Sequence, residues 1–292
     1  MMVYEASPIK RRRATAAEME ARAQFFIDYA ERHGPVTVRQ LFYAATVANV
    51  PGIDKTEAGY SKVQTQVLAL RRAGRLDYDD IADSTRWMRR PRTSDGWQDA
   101  LAATARTYRK SLWSESAVEV EVWLEKNALA GVVYPVTDEL DVSLMVTSGY
   151  TSETFAYEAV QRLRHTGRHL VIYSMYDFDR SGKDAEASLR EKVERFGAEF
   201  DVLVEFHPLA LTAQQVASMN LPTRPPKANT PADRRWPHPY AAELDAIPPD
   251  FLRDLVRFSI EEHLPTYELR RLREIEAAER RTLLHFIEGA AA

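Results

Sequence analysis

The sequence predicts an α/β protein: a small helical domain in front, then a mainly parallel four-stranded sheet with helices between its strands and after them. Three observations predict it. Capping-box signals followed by apolar stripes recur up to residue 74, the apolar period changes to two at Val118, and strand-like and helix-like segments then alternate to about residue 207. At 292 residues the chain exceeds the usual size of one hydrophobic core, so two domains are expected.

After a basic tail over residues 1–14 (Lys10, Arg11, Arg12, Arg13), Thr15 and Glu18 form a capping-box pattern, and a helix runs to Gly34-Pro35. Thr37 and Gln40 repeat the pattern, and Val38, Leu41, Phe42 and Ala45 fall on one core-facing stripe. A third helix follows the turn at Pro51-Gly52, with Tyr60, Val63, Val67 and Leu70 inward, and stops at Gly74. Residues 75–92 carry Arg86, Trp87, Arg89, Arg90 and Arg92 and suit a short basic hairpin. Three small helices and such a hairpin describe a winged helix over residues 15–113, whose third helix enters the major groove of DNA.

From Val118, apolar Val120, Val122 and Leu124 alternate with Glu119, Glu121 and Trp123, as in a strand. Strands are expected near 118–124, 142–148, 170–176 and 201–207, with helices near 127–139, 151–165 and 182–196, in a domain spanning 116–292. The polar face of the first strand predicts a side that is partly open or covered by the other domain. Six prolines within 221–239 exclude regular structure there, and residues 250–264 and 267–288 read as helices.

Composition narrows the chemistry. There are no cysteines, which removes disulfides, thiolate nucleophiles and cysteine-bound zinc. No apolar run approaches a membrane span and the start lacks the apolar core of a secretory signal, so an intracellular, cytoplasmic protein with no membrane partner is expected. The net charge of −4 is unevenly spread: residues 1–115 hold 19 Lys+Arg against 14 Asp+Glu, and the remainder holds 20 against 29. A basic front and an acidic back suit a polyanion held by one part and cations by the other. Lys62, Arg71, Arg72, Arg89, Arg90 and Lys126 are the candidate DNA contacts, each also readable as part of a solvated charged face.

In an open α/β sheet, ligands gather at the carboxyl ends of the strands. Glu125 closes the first strand, and Asp177 and Asp179 close the third. In an extended chain both aspartates point one way and Phe178 the other. Three hard oxygen donors favour magnesium, with manganese as the alternative. Gly182 is expected to let the chain turn tightly into the next helix. An EF-hand reading of Asp177 to Gly182 fails at the twelfth position, where Ser188 stands for glutamate. An aspartyl-nucleophile phosphatase and a plain helix-capping role for these acids both remain open.

On the second helix, Tyr43 lies away from the core stripe and shares a face with Arg39. An available phenol beside a positive charge has its pKa drawn below the usual value of about 10, toward nucleophilicity. The alternative is a surface or interface tyrosine.

These motifs resemble a known family. Thr37-Val38-Arg39-Gln40-Leu41-Phe42-Tyr43 resembles the Arg-x-x-(Tyr/Phe)-Tyr motif of the topoisomerase VI A subunit and its meiotic double-strand-break relatives, while Leu124-Glu125-Lys126 and Asp177-Phe178-Asp179-Arg180-Ser181-Gly182 resemble the acidic motifs of their Toprim domain. The order, winged helix then Toprim, agrees, and the resemblance covers about residues 15–265. It implies Tyr43 as nucleophile, Arg39 assisting at the phosphate, and Glu125, Asp177 and Asp179 as magnesium ligands. It also implies double-stranded DNA as substrate, a 5′-phosphotyrosyl link, and a homodimer with active sites shared between chains. No P-loop pattern is present, so an ATPase would have to be a separate subunit, unless the chain is similar to the small stand-alone A-type proteins of phages and plasmids. Arg180-Ser181 departs from the topoisomerase loop, which bears on strand passage more than on metal binding. Two other readings stand beside this one: a Toprim nuclease of the Wadjet type that activates water, and a DNA-binding protein without catalysis.

Overall fold

A computed structural model describes residues 14–82, 91, 93–231, 233–264 and 266–290. The chain divides into two compact units, one ending at Ile81 and one beginning at Ala82.

In the first unit, α1 (Ala16–His33), α2 (Val38–Val47) and α3 (Glu57–Arg72) follow the sequence signals closely. Thr15 and Thr37 each cap their helix through the hydroxyl, and Glu18 and Gln40 return the bond to the cap amide. The buried side is built from Phe26, Ala30, Leu41, Phe42, Val63, Val67 and Leu70. Val36 and Ile81 form an isolated parallel bridge that ties the end of the unit to the start of α2. Of the expected basic hairpin, residues 75–82 form turns that end in the Ile81 bridge, while residues 83–90 and 92, with Arg86, Arg89, Arg90 and Arg92, lie outside the described residues, as does the basic tail through Arg13.

The second unit opens with α4 (Trp97–Thr107), which packs on the last helix, α10 (Thr266–Ala290). Tyr108 then donates to Glu279 at 2.6 Å and the Lys110 amide to Glu276 at 3.0 Å. The sequence boundary at residue 113 had placed this segment in the front domain. Next come β1 (Val118–Leu124), α5 (Asn127–Glu139), β2 (Ser143–Val146), α6 (Glu153–Gln161), β3 (His169–Met175), α7 (Arg180–Phe200), β4 (Val204–Ala210), α8 (Ala213–Ser218) and α9 (Pro249–Glu261). The four strands are all parallel, in the order β2-β1-β3-β4. Strand β4 starts three residues later than expected because Asp201 takes a left-handed conformation, φ 56°, and the Val202 amide returns to Gly197 to close α7.

One face of the sheet is covered by α6 and α7, whose Ala156, Val160, Ala185, Leu189 and Val193 pack with Trp123 and Ile172. The expected open side of β1 is therefore corrected. Glu121 is 2% exposed, paired with Arg162, and accepts from the Trp123 indole at 2.6 Å. Glu119 pairs with Arg162 at 3.1 Å and with Arg168 at 2.5 Å. Arginines from the covering side satisfy these carboxylates, so polar residues line a buried face.

Candidate active site

Strands β1 and β3 run side by side in register, Leu124 beside Met175, so the residues that follow them leave the sheet at one edge. The Glu125 amide donates to the Met175 carbonyl at 3.0 Å, and the Asp177 amide donates to Glu125 Oε2 at 2.9 Å. Phe178 pairs backbone to backbone with Ala242, which brings a second acidic stretch, Glu243 and Asp245, to the same edge. The Leu244 amide donates to Asp177 Oδ1 at 2.7 Å. Asp179 is the N-cap of α7, its Oδ1 accepting from Gly182 at 2.9 Å.

Cations hold these acids. Lys126 Nζ lies 2.7 Å from Asp245, 3.0 Å from Asp177 and 3.5 Å from Glu243. Arg224 reaches Asp179 Oδ2 at 2.7 Å, and Lys227 lies 3.9 Å from the same oxygen. Burial pushes the Glu125 carboxyl above the ordinary carboxylate range against its bond from the Asp177 amide, and the charges of Asp177 and Asp179 raise it further. Burial also raises Asp177, partly offset by Lys126. Burial works against the charge of Lys126, but Asp245, Asp177 and Glu243 outweigh it and raise its pKa.

Glu125, Asp177 and Asp179 are hard oxygen donors of the type a divalent cation takes, and the charges of Asp177 and Asp179 contribute to raising Glu125. Their present arrangement is one of carboxylates balanced by Lys126 and Arg224, and among the described residues no group of three acids or histidines is disposed to hold a metal ion. Lys126, a candidate DNA contact, is engaged by acids.

Gly182 is needed for space rather than for an unusual backbone angle. A Cβ there would meet the Asp177 carbonyl oxygen at 2.5 Å. The first turn of α7 thus presses directly on the chain carrying the central aspartate.

No protein-family model matches the chain, and no curated protein matches it.

In the first unit, Tyr43 is 5% exposed, which corrects its expected place off the core face. Helix α2 has only ten residues and packs against both α1 and α3, so its buried side widens to include Gln40, Leu41, Phe42 and Tyr43 together. The Tyr43 ring lies 5.4 Å from Phe42, with the Lys55 ammonium 5.8 Å from its centre. The Arg39 guanidinium stacks over Tyr60 at 4.6 Å. Of the candidate DNA contacts on α3, Lys62 donates to the Gly52 carbonyl at 2.8 Å, Arg71 lies over Tyr78 at 4.2 Å, and Arg72 is exposed.

Sequence reasoning missed Arg224, Lys227, Glu243 and Asp245. The mixture of charge and proline after residue 221 was the available signal, but its relation to Asp177 comes from the folded chain, through the Phe178–Ala242 pairing and the Leu244 amide bond to Asp177.

Proposed function

We propose that the protein cleaves DNA strands by tyrosine transesterification, in the manner of the topoisomerase VI A subunit. The observation that supports this reading is that β1 and β3, adjacent and in register, deliver Glu125 and, some fifty positions later, Asp177 and Asp179 to the same carboxyl edge of a parallel sheet. The Tyr43 phenol attacks phosphorus, a phosphotyrosyl bond forms, and the bond from phosphorus to the 3′ oxygen breaks to release a 3′-hydroxyl. Arg39 steadies the phosphate, and the basic residues of the first unit hold the backbone. Glu125, Asp177 and Asp179 would hold magnesium, which supplies charge stabilisation at the phosphate. The reading carries a homodimer with it, measurable by light scattering.

The burial of Tyr43 favours a second reading, hydrolysis by water with Tyr43 serving the core. Incubation of supercoiled plasmid with the protein and magnesium, quenched in detergent, separates the two. The first reading expects protein attached to 5′ ends and loss of attachment in Tyr43→Phe. Free ends that persist in Tyr43→Phe select hydrolysis, and DNA that is shifted but never cut overturns both.

A further inference from the structure

We infer that residues 221–240, together with Phe178, form an aromatic and cationic platform that stacks the unpaired bases of a DNA single strand beside the acid cluster. The inference rests on the DNA reading above and names the state of the strand that reaches the cluster.

Charge is the first observation. The segment holds Arg224, Lys227, Arg234 and Arg235 against one acid, Asp233, inside an otherwise acidic half of the chain. Arg234 and Arg235 are exposed and make no ion pair with any described residue, and Lys227 is 55% exposed. Against the expectation of no regular structure, one 3-10 turn forms at Asp233–Arg235, where three residues in a row lack proline, and the stretch is well anchored. Arg224 and Ala241 exchange two backbone bonds at 2.8 Å, and Asp233 ties it to Arg180 at 2.9 Å.

Rings are the second. Phe178, between the two aspartates, is buried, and its centre lies 5.0 Å from Trp236, 4.8 Å from His238 and 5.8 Å from Tyr240. Trp236 and His238 are themselves 5.0 Å apart. These three outer residues are half-buried, and the Trp236 indole is held in place by its 2.8 Å bond to the Tyr240 carbonyl.

Anchored, half-buried rings flanked by the exposed cations Arg234 and Arg235 match the alternation of bases and phosphates along a single strand. A duplex offers phosphates and base edges but no base faces, since its bases are stacked on one another. Placing the platform on the loop that pairs with Phe178 puts a strand held there next to Asp177 and Asp179.

The test is fluorescence anisotropy of a labelled oligothymidine and of a labelled duplex with the full chain in EDTA, where no metal-dependent cleavage occurs. We expect the single strand to bind and Trp236→Ala to weaken it by about 5- to 150-fold, the span of one lost base stack. Trp236→Phe keeps a ring and restores most of the affinity, while Lys227→Gln with Arg234→Gln lowers the salt dependence. Absence of single-strand binding, or a Trp236→Ala protein with native circular dichroism and full affinity, overturns the inference. Because cleavage is silent in this assay, single-strand binding by a protein that never cuts DNA would sink the function proposed above and leave the platform standing.

Discussion

The Asp177 amide donates to the Glu125 carboxylate at 2.9 Å, so the ends of two neighbouring parallel strands are joined by a side chain of the cluster itself. The same bond restrains the acid whose burial disfavours its charge.

Glu125→Gln preserves an acceptor for that amide and removes the charge. The raised carboxyl favours the fold below its unfolded pKa and loses that advantage as pH rises through the folded value, so the neutral side chain should be no less stable at pH 7. We expect a melting temperature equal to or above wild type, with plasmid cleavage reduced about a hundredfold or more. Retained cleavage would remove Glu125 from the chemistry.

Lys126→Met leaves Asp245, 3% exposed, and Asp177 without their shared cation. Breaking such a buried arrangement costs about 3–5 kcal/mol. Urea unfolding of the variant should show a loss of that size, and Lys126→Met combined with Asp245→Asn should recover part of it.

Arg162→Met strands the buried Glu121 carboxylate, whose pKa burial already raises. The single variant should lose about 3 kcal/mol, and the pair with Glu121→Gln distinctly less than the sum of its parts. An additive double-mutant cycle would show that the two side chains do not support each other.

The His263 ring lies 2.8 Å from the Tyr173 hydroxyl, and burial lowers its pKa below the ordinary histidine value. A lowered folded pKa contributes stability above the unfolded value of about 6.5 that is lost as pH falls through the folded one. Thermal melts from pH 8 to pH 5 should therefore fall more steeply for wild type than for His263→Gln. Parallel curves would count against the assignment.

Gly182→Ala forces a methyl group against the Asp177 carbonyl. Overpacking of this kind costs about 1–3 kcal/mol, and because the displaced chain carries Asp177, cleavage should fall along with stability. Unchanged calorimetric melting would mean that α7 can shift without penalty.

Local chemistry was open to reading from the sequence. The capping boxes at Thr15 and Thr37, the change of period at Val118 and the alternation that followed placed the main helices and strands within a few residues, because each depends on neighbours close in the chain. The position of the acids was also legible, since parallel strands deliver their following residues to one edge. Tyr43 was misread because a helical wheel assumes one buried face, and a ten-residue helix between two others has more than one.

By itself, the sequence determined most of the helices and strands, though not α4 or α8, the absence of cysteine chemistry, and the three carboxylates that follow β1 and β3. Tertiary structure alone decided that Lys126 and Arg224 would neutralise those acids, that Glu243 and Asp245 would join them, and that Trp236, His238 and Tyr240 would gather on Phe178. The physical reason is range: helix caps and strand alternation are settled within a few residues, whereas ion pairs and ring contacts form between segments that only the folded chain brings together.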